Sequence, residues 1–439
     1  MTPNSFKVII VGGGPVGLLA ALTLRSAGID FVILERRPSI VADVGAGITL
    51  KPPTLRIFHQ LGLLEKLLPL GCELRERSTF TLRGHLFDSD AFTYMKKSHG
   101  CSLYGYHRAE LVQFLYDALH EDHHRILVGK QLTNIIHKDH GVQAICADGT
   151  TYTGSVILGA DGVHSQTRTL MCELALQANA GPEWAAEKPF PATYKCLFFS
   201  TPLLSPKGHF VDTESKGRCI FYLVGQERAW VFLCETLPQP TTERAVYSAD
   251  DAAEFAAKFA EFPLTNTLKV KDVYPLAQSS SMVNLEEGSA KQWSWGRVVL
   301  AGDSCHKFTP HAGQGFNCGV QDAVVLTNLL RQAIASSPEG NPTAQELKAA
   351  FESYQTLRTP YARADEVVSA TIARLFSWAT VFYRIMACYV FPLRLCDYLL
   401  YSRISPNGMR YAAVLDHIAA KEPFTGTVEW EHQMTGAVS

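Results

Sequence analysis

The chain has 439 residues, of which 47% are hydrophobic, and its formal net charge at pH 7 is −2. This length and apolar content predict a globular protein with a full core and two or three structural regions. The nearly balanced charge, without a basic cluster, argues against nucleic acid as a partner. The 11 cysteines are scattered without a C-x-x-C pair, which is typical of a reducing compartment. Because the first predicted strand leaves no room for a signal peptide, we expect a cytoplasmic protein.

The N-terminal segment from Lys7 to Glu35 has the pattern of a dinucleotide-binding unit. Apolar runs at residues 8–11 and 31–34 predict two strands on either side of an apolar helix. Between them stands a G-x-G-x-x-G motif, formed by Gly12, Gly14 and Gly17. The helix N-terminus that follows favours a pyrophosphate, and Glu35 lies where a ribose hydroxyl needs an acceptor.

The next three segments have ordinary structural patterns. Residues 54–67 predict an amphipathic helix whose apolar face belongs to the core. Residues 104–120 predict a second amphipathic helix with Arg108 near its start. Residues 125–152 alternate short apolar runs with turn residues, which predicts strands and a hairpin.

Two later strands also end in acidic residues. Residues 155–160 predict a buried strand before Asp161, and residues 297–301 predict another before Asp303. Because parallel strands end at one edge of a sheet, we expect Glu35, Asp161 and Asp303 to border one crevice. Between these strands, the aromatic runs of residues 181–287 predict a separate antiparallel sheet.

Three separated motifs carry a family resemblance. The first is the glycine motif with Glu35. The second, G-A-D-G-x-x-S-x-x-R, is formed by Gly159, Ala160, Asp161, Gly162, Ser165 and Arg168. The third is formed by Gly302, Asp303, His306, Pro310, Gly313, Gln314, Gly315, Asn317, Asp322 and Ala323. In this order the motifs resemble the class A FAD-dependent monooxygenases of the aromatic-hydroxylase type. Within that family, the third motif, residues 45–63 and the apolar C-terminus look most like fungal epoxidases and hydroxylases of prenylated secondary metabolites.

The resemblance implies an α/β fold. A Rossmann-like FAD-binding domain, with a mostly parallel sheet and helices, would hold an inserted antiparallel-sheet substrate domain and end in a C-terminal helical segment. The implied boundaries are 1–180 for the first part of the FAD-binding domain, 181–290 for the substrate domain, 291–365 for the return of the FAD-binding domain and 366–439 for the helical segment.

The resemblance also implies which residues bind FAD. The three glycines would approach the pyrophosphate and Glu35 the adenosine ribose, while Asp303 would hold the ribityl hydroxyls. The remaining implied cofactor-binding residues are Gly47, Arg108, Asp161, Gly315, Phe316 and Asn317. Asp161 would serve the pyrophosphate and NAD(P)H, although an N-cap of the following helix is the alternative interpretation.

The implied reaction is a monooxygenation. NAD(P)H would reduce bound FAD, dioxygen would add at the flavin C4a position, and one oxygen would pass to an electron-rich carbon of a large apolar metabolite. The substrate would be a prenylated, terpenoid or aromatic compound, and the product an epoxide or a hydroxylated ring. The alternatives are a flavin-dependent reductase or dehydrogenase of isoprenoids that does not activate oxygen, and a cofactor-binding protein without turnover.

Two tyrosines and two histidines are further candidates for chemistry. Tyr194 and Tyr222 lie in aromatic strands and are candidates for orienting substrate or donating a proton, with sheet packing as the alternative. His306 and His311 are five residues apart around a proline, a spacing that predicts no metal site.

The C-terminal residues 372–401 are unusually apolar but are interrupted by three arginines, one aspartate and a proline. These interruptions argue against a membrane-spanning helix. The mixture of aromatic rings and arginines instead favours contact with a membrane surface or a lid over an apolar site. Packing on the FAD-binding domain is the alternative.

Overall fold

The protein is described by a computed structural model that covers residues 6–43, 46–184 and 190–434. Its strands are β1 (Lys7–Val11), β2 (Asp30–Leu34), β3 (Gly47–Leu50), β4 (Cys72–Glu73), β5 (Glu76–Thr81), β6 (Gly84–Ser89), β7 (Tyr104–His107), β8 (Ile126–Leu127), β9 (Leu132–Lys138), β10 (Gly141–Cys146), β11 (Thr151–Gly154), β12 (Val156–Gly159), β13 (Ala192–Thr201), β14 (His209–Ser215), β15 (Arg218–Val224), β16 (Ala229–Thr241), β17 (Ser279–Glu286), β18 (Gly288–Ser289), β19 (Ser294–Trp295), β20 (Val298–Leu300) and β21 (His306–Lys307). Its α-helices are α1 (Pro15–Ser26), α2 (Pro52–Gln60), α3 (Leu64–Leu67), α4 (Ala91–His99), α5 (Arg108–Asp117), α6 (Gln166–Gln177), α7 (Ala249–Ala257), α8 (Val270–Val273), α9 (Gly315–Ser336), α10 (Ala344–Phe376), α11 (Val381–Ile385), α12 (Arg394–Leu399) and α13 (Ser405–Met409).

A six-stranded sheet in the order β19-β20-β12-β1-β2-β8 forms the centre of the FAD-binding region. Its strands are parallel except β19, which pairs antiparallel with β20. The residues of β1, β12 and β20 are almost entirely buried, as expected for a parallel sheet covered on both faces. The chain leaves the carboxyl ends of these three strands at Gly12, Ala160 and Ala301, so the three motifs meet at one edge.

A second, seven-stranded sheet has the order β17-β13-β16-β15-β14-β5-β6. All its pairs are antiparallel except β14 with β5. The antiparallel sheet expected from residues 181–287 is therefore confirmed, but β5 and β6 reach it from residues 76–89. Two strands of this sheet, β5 and β6, therefore precede Asp161 in the sequence, and the other five follow it.

The two faces of this sheet have different neighbours. On one face, residues of β15 and β16 pack against helix α7 and the segment after it, through Phe255 and Phe259. On the other face, Cys219 and Phe221 pack against the end of α10, including Phe376. Because side chains alternate along a strand, neighbouring residues of one strand belong to different clusters.

The helix predicted for residues 104–120 is wrong in its first turn. Residues Tyr104–His107 form strand β7, which lies between β3 and β4, and helix α5 begins only at Arg108. The apolar pattern of these four residues is compatible with either a short buried strand or a helix. They form a strand because they pair with β3.

The C-terminal region is helical as far as Met409, as predicted, but it is divided into pieces, and the described residues 410–434 form no helix. The 33-residue helix α10 contains Pro360 and ends before Trp378, whose φ of 44° turns the chain. Helices α11 and α12 each continue into a π-helical stretch, at Met386–Val390 and Leu400–Ile404. Within the described residues, no helix combines the length and apolarity that a bilayer span requires.

The tail after α13 returns to the FAD-binding region and packs on α2. Arg56 of α2 is buried; its Nε donates to the Glu422 carboxylate at 2.9 Å and its guanidinium to the His432 carbonyl at 2.7 Å. The same guanidinium lies 4.0 Å from the ring centre of Trp430. Arg56 therefore anchors the tail together with Gln60 of α2, whose side chain forms hydrogen bonds with the backbone of Leu415 and Ile418.

We expect Arg56→Leu to lower the free energy of unfolding by about 3 kcal/mol, because the tail loses a buried ionic partner. Chemical denaturation monitored by tryptophan fluorescence measures the change. The control is Arg75→Leu, whose side chain is 73% exposed and should change stability by no more than about 0.5 kcal/mol. Equal stability of the two variants would contradict an anchoring role for Arg56.

Candidate active site

The glycine motif forms a tight connection between β1 and α1. Gly12 has a φ of 108°, and a Cβ there would lie 2.5 Å from the Ala160 carbonyl oxygen. A Cβ on Gly17 would lie 2.0 Å from the Gly12 carbonyl oxygen, so helix and loop touch. Gly14 has no protein atom within 4 Å of its Cβ position and lines the central cavity. The third position therefore serves packing, whereas the second leaves the backbone open to a ligand.

Glu35 lies at the end of β2 and holds this loop. Its carboxylate accepts the backbone N–H of Gly13 at 2.7 Å and that of Arg37 at 2.9 Å. The side chain is buried but still lines the cavity. Each carboxylate oxygen can accept a further hydrogen bond, so contact with a ribose hydroxyl stays a prediction compatible with this geometry.

Arg108 and Asp303 border the same cavity. Burial and the nearby Arg37 lower the pKa of the Arg108 guanidinium, while the carboxylate of Asp303 opposes that shift. No described residue forms a hydrogen bond with the Arg108 side chain. Asp303 is paired with Lys307, whose Nζ donates to it at 2.5 Å. The site thus holds a desolvated cation without a hydrogen-bond acceptor among the described residues.

Asp161 has a structural partner set. One carboxylate oxygen accepts the Ser165 hydroxyl at 2.5 Å, and the other accepts the N–H of Thr167 at 2.9 Å. Ser165 is the N-cap of α6, so the Asp161 carboxylate braces the start of that helix. The N-cap is thus Ser165 and not Asp161, which supports the start of the helix from 4 residues further upstream and also lines the cavity.

The N-terminus of α9 opens onto the cavity at Gly315, Phe316 and Asn317. The N–H groups of a first helical turn have no partner within the helix and favour negative charge. Asn317 fixes this end: its Oδ1 accepts the Lys51 N–H at 2.9 Å, and its Nδ2 donates to the carbonyl of Thr49 at 2.8 Å. The helix start is thereby tied to β3.

Gly47 and the two candidate tyrosines have mainly packing roles. A Cβ on Gly47 would lie 2.9 Å from the ring of Trp230, although the glycine also lines the cavity. Tyr222 points to the α7 side of the sheet and donates to Ser205 at 3.2 Å. Tyr194 shares a hydrogen bond of 3.0 Å with Ser377. Neither tyrosine is among the described residues that line the cavity, and their action on substrate stays a prediction.

A buried ionic cluster behind the third motif was not foreseen from the sequence. Asp322 accepts hydrogen bonds from the Gly302 N–H at 2.9 Å, from His306 at 2.6 Å and from Arg358 at 2.9 Å. Burial disfavours a charged imidazole, but the Asp322 carboxylate outweighs it and raises the pKa of His306. Arg358 lies 36 residues after Asp322 in the middle of α10, and no sequence motif marks it.

The cavity has a volume of about 1740 Å³. A single small-ligand site typically has about 300–1,000 Å³, so this cavity has room for a cofactor and a substrate. Its far wall is the aromatic face of the second sheet, formed by Phe198, Phe210, Phe221, Leu223 and Phe232. The C-terminal segment adds further apolar lining, from Leu375, Phe376, Phe391 and Ile404. The C-terminal region therefore closes an apolar chamber.

Two sets of side chains bring several metal-ligand atoms together: Cys219, Cys234 and His311, and Cys305, His306 and Asp322. In the second set, Arg358 already supplies a cation to the carboxylate. In the first set, burial and Arg374 lower the pKa of His311 to about 3, so its imidazole is neutral. The expectation that the protein has no metal site stays a prediction.

These observations fit a bound FAD. The open backbone at Gly14, the unpaired Arg108 cation and the free helix N-terminus suit phosphates and an electron-rich ring. The family described as FAD binding domain matches residues 5–364. The chain belongs to this family.

This chain has fungal relatives that are FAD-dependent monooxygenases. One is ausM of Penicillium brasilianum, 33% identical over 395 residues that cover 89% of this chain and 83% of the relative. Another is dpchE of Colletotrichum higginsianum, 33% identical over 420 residues, covering 89% of this chain and 85% of the relative. The protein is accordingly an FAD-dependent monooxygenase, and the class A resemblance is confirmed.

Solved structures confirm the fold class. Klebsiella pneumoniae HpxO, complexed with FAD and uric acid, aligns with a TM-score of 0.71 at 20% identity, over 91% of this chain and 98% of that one. The 2,6-dihydroxypyridine-3-hydroxylase of Arthrobacter nicotinovorans aligns with a TM-score of 0.67 at 18% identity, over 86% of this chain and 94% of that one. The α/β architecture with a second sheet is therefore the one expected.

We expect Asp303→Ala to weaken FAD binding by about 1.5 to 3 kcal/mol, roughly 10- to 150-fold, because a hydroxyl of the cofactor loses a charged acceptor. Titration of the apoprotein with FAD, followed by flavin fluorescence, measures this change. Asp250→Ala, an exposed acid on α7, serves as the control and should bind FAD as the unmodified protein does. Unchanged affinity in Asp303→Ala would refute the assigned role.

Proposed function

We propose that the protein uses NAD(P)H and dioxygen to epoxidise or hydroxylate a large apolar metabolite of the prenylated, terpenoid or aromatic kind, within secondary-metabolite biosynthesis. The observation that carries this proposal is the aromatic chamber that continues directly from the cofactor-binding residues. Burial of apolar surface would supply most of the binding energy for such a ligand. The fungal FAD-dependent monooxygenase relatives also support an oxygen-transfer reaction.

The polar end of the cavity supports a dinucleotide reductant. Positively charged side chains line it there, from Arg36, Arg37, Lys130 and Arg244. Although Lys130 is also paired with Asp148, a cluster of cations raises the local concentration of a polyanion such as NAD(P)H. His164 also lines this end, 3.6 Å from Glu286.

The chain's own residues would orient the reactants and exclude water. FAD, when bound and reduced, supplies the activation of dioxygen. The N–H groups at the start of α9 would stabilise negative charge on the reduced cofactor. The C-terminal helices would keep water from the chamber, which prevents loss of activated oxygen as peroxide.

Two titratable groups beside the aromatic wall, His311 and Tyr194, are poorly suited to the oxidation of a phenol. Oxidation of a phenol benefits from a base that generates the phenolate. His311 is neutral because its pKa is about 3, and it is hydrogen-bonded to the Cys219 thiol at 3.4 Å. Burial raises the pKa of the Tyr194 hydroxyl to about 12, so this group also stays neutral. Neither group is well suited to removing a phenolic proton, since imidazole here is a weak base.

The proposed reaction predicts that an isoprenoid alkene stimulates oxygen uptake. With farnesylacetone as probe and NADPH as reductant, we expect equal acceleration of NADPH oxidation and oxygen uptake, and one labelled atom in the product from ¹⁸O₂. Mass spectrometry of the product measures the label. Anaerobic conversion to a reduced, unlabelled product would instead support an isoprenoid reductase and would contradict the proposal.

We further propose that the segment 381–404 contacts an anionic bilayer surface. Val381, Phe382, Tyr389 and Leu395 are 65–75% exposed on this segment. Exposed arginines lie among them, at positions 384, 394 and 403. Aromatic rings and cations together are suited to a lipid headgroup region. Ile404 is 64% exposed and also lines the chamber, so an apolar substrate would enter from the lipid side.

We expect the holoenzyme to float with vesicles that contain phosphatidylserine and less with pure phosphatidylcholine vesicles. Replacing both Phe382 and Leu395 with serine should remove flotation, because the apolar contact is lost while the arginines remain. Leu176→Ser, at an exposed position on α6, is the matched control and should float normally. A full-length protein that never floats would contradict membrane contact without affecting the proposed reaction.

A further inference from the structure

A polar cluster interrupts the aromatic wall of the chamber. Strand β14 places Asp212 and Glu214 on the same face of the sheet, and β5 adds Arg77 beside them. Both carboxyl groups are almost fully buried, at 0% and 3% exposure. Glu214 nevertheless lines the cavity, together with Arg77. Two acids are therefore desolvated at the edge of a site that is otherwise apolar.

Only one of the two acids has a cation. Arg77 donates through Nε to Asp212 at 2.9 Å and through its terminal nitrogen to the Tyr401 hydroxyl at 2.5 Å. Glu214 receives one hydrogen bond, from the indole N–H of Trp378 at 3.1 Å. No described residue forms a hydrogen bond with its other oxygen. Arg77 therefore balances the charge of Asp212 and leaves Glu214 without a counter-ion of its own.

The surroundings keep Glu214 protonated. Burial, and then the negative charge of Asp212, raise its pKa to about 8. The thiols that face it, Cys219 on β15 and Cys388 after α11, are themselves neutral because burial raises their pKa. A protonated carboxyl group is a hydrogen-bond donor, and a buried donor requires an acceptor.

The position of Glu214 relates it to the cofactor end of the chamber. Its cross-strand neighbour is Cys219, and the Cys219 thiol lies 3.4 Å from His311 Nε2. His311 directly precedes the segment that leads into α9. Glu214 therefore lies on the strand adjacent to that contact, directly opposite Cys219.

We propose that Glu214 is a substrate-binding residue that donates a hydrogen bond to a carbonyl or ether oxygen of the otherwise apolar substrate. This inference rests on the proposed function and adds a specific polar group to the substrate class. The donor would fix an oxygen atom of the substrate near the carbon that is oxidised. An analogue without that oxygen would leave the donor unpaired and bind more weakly.

The protein itself offers one competing acceptor. Asp212 Oδ2 is buried and has no hydrogen-bond partner among the described residues. No hydrogen bond joins it to Glu214 in the structure. If the proton of Glu214 were directed to Asp212 instead, the substrate would gain nothing from the carboxyl group, and the experiment below separates the two cases.

The test compares two probes on the oxidised holoenzyme without reductant. One is farnesylacetone, and the other is the matched hydrocarbon in which CH₂ replaces the carbonyl. The change in flavin absorbance on titration measures each dissociation constant. At pH 6.5 we expect the ketone to bind about 5- to 10-fold more tightly, the typical effect of one hydrogen bond.

The pH dependence has a defined sign. The protonated form prevails below the raised pKa, so preference for the ketone should be present at pH 6.5 and disappear as the pH rises through about 8. Glu214→Gln keeps a donor that does not titrate. This variant should retain the preference for the ketone both at pH 6.5 and above pH 8. Glu214→Leu should bind both probes equally. The control Glu286→Gln, a cavity acid outside this cluster, should retain the wild-type preference and pH profile.

The outcomes separate this inference from the proposed function. Equal binding of both probes to the wild type at pH 6.5 overturns the role of Glu214 but leaves an apolar substrate site intact. A preference that survives in Glu214→Leu likewise overturns it. Failure of both probes to perturb the flavin overturns the proposed substrate class together with this inference.

Discussion

The buried carboxylate of Asp322 is the interaction on which the arrangement of the active site depends. It lies on α9 and simultaneously binds the loop after β20, through Gly302, and α10, through Arg358. An unpaired buried charge costs several kcal/mol, so these partners must converge when the chain folds. The loop that presents Asp303 and the helix that presents Gly315 thereby acquire one relative position. The same carboxylate also positions α10, because Arg358 belongs to that helix, and the shorter C-terminal helices follow α10 in the chain.

Much of the cofactor half was predictable because its constraints are local. Gly17 is required by its contact with the Gly12 carbonyl within a single strand-turn-helix unit, and Glu35 follows the next strand at once. Asp303 and Gly315 likewise stand in one continuous motif. Short-range patterns of this kind record backbone geometry directly, so the order of the motifs was sufficient to indicate the fold.

The substrate half was less predictable because its contacts are distant in sequence. Tyr222 and Phe221 are neighbours in one strand, yet one packs against α7 and the other lines the chamber. Aromatic composition cannot reveal which face of a strand packs against α7 and which lines the chamber. A shift of one residue along the strand moves every side chain to the other face. Arg358 and the strands at residues 76–89 were missed for the same reason. Their partners lie 36 or more than 100 residues away.

The C-terminal wall of the chamber and the cofactor-binding motifs belong to different parts of the chain. The C-terminal wall, from Ile372 to Tyr411, follows all three cofactor motifs and contributes none of their residues. Substitutions there can reshape the chamber while the glycine loop, Asp303 and α9 keep their contacts. Homologous enzymes that share one oxidation chemistry can therefore diverge in the metabolites they accept through drift in this final segment. Sequence comparison within the family should find its greatest variation in this wall.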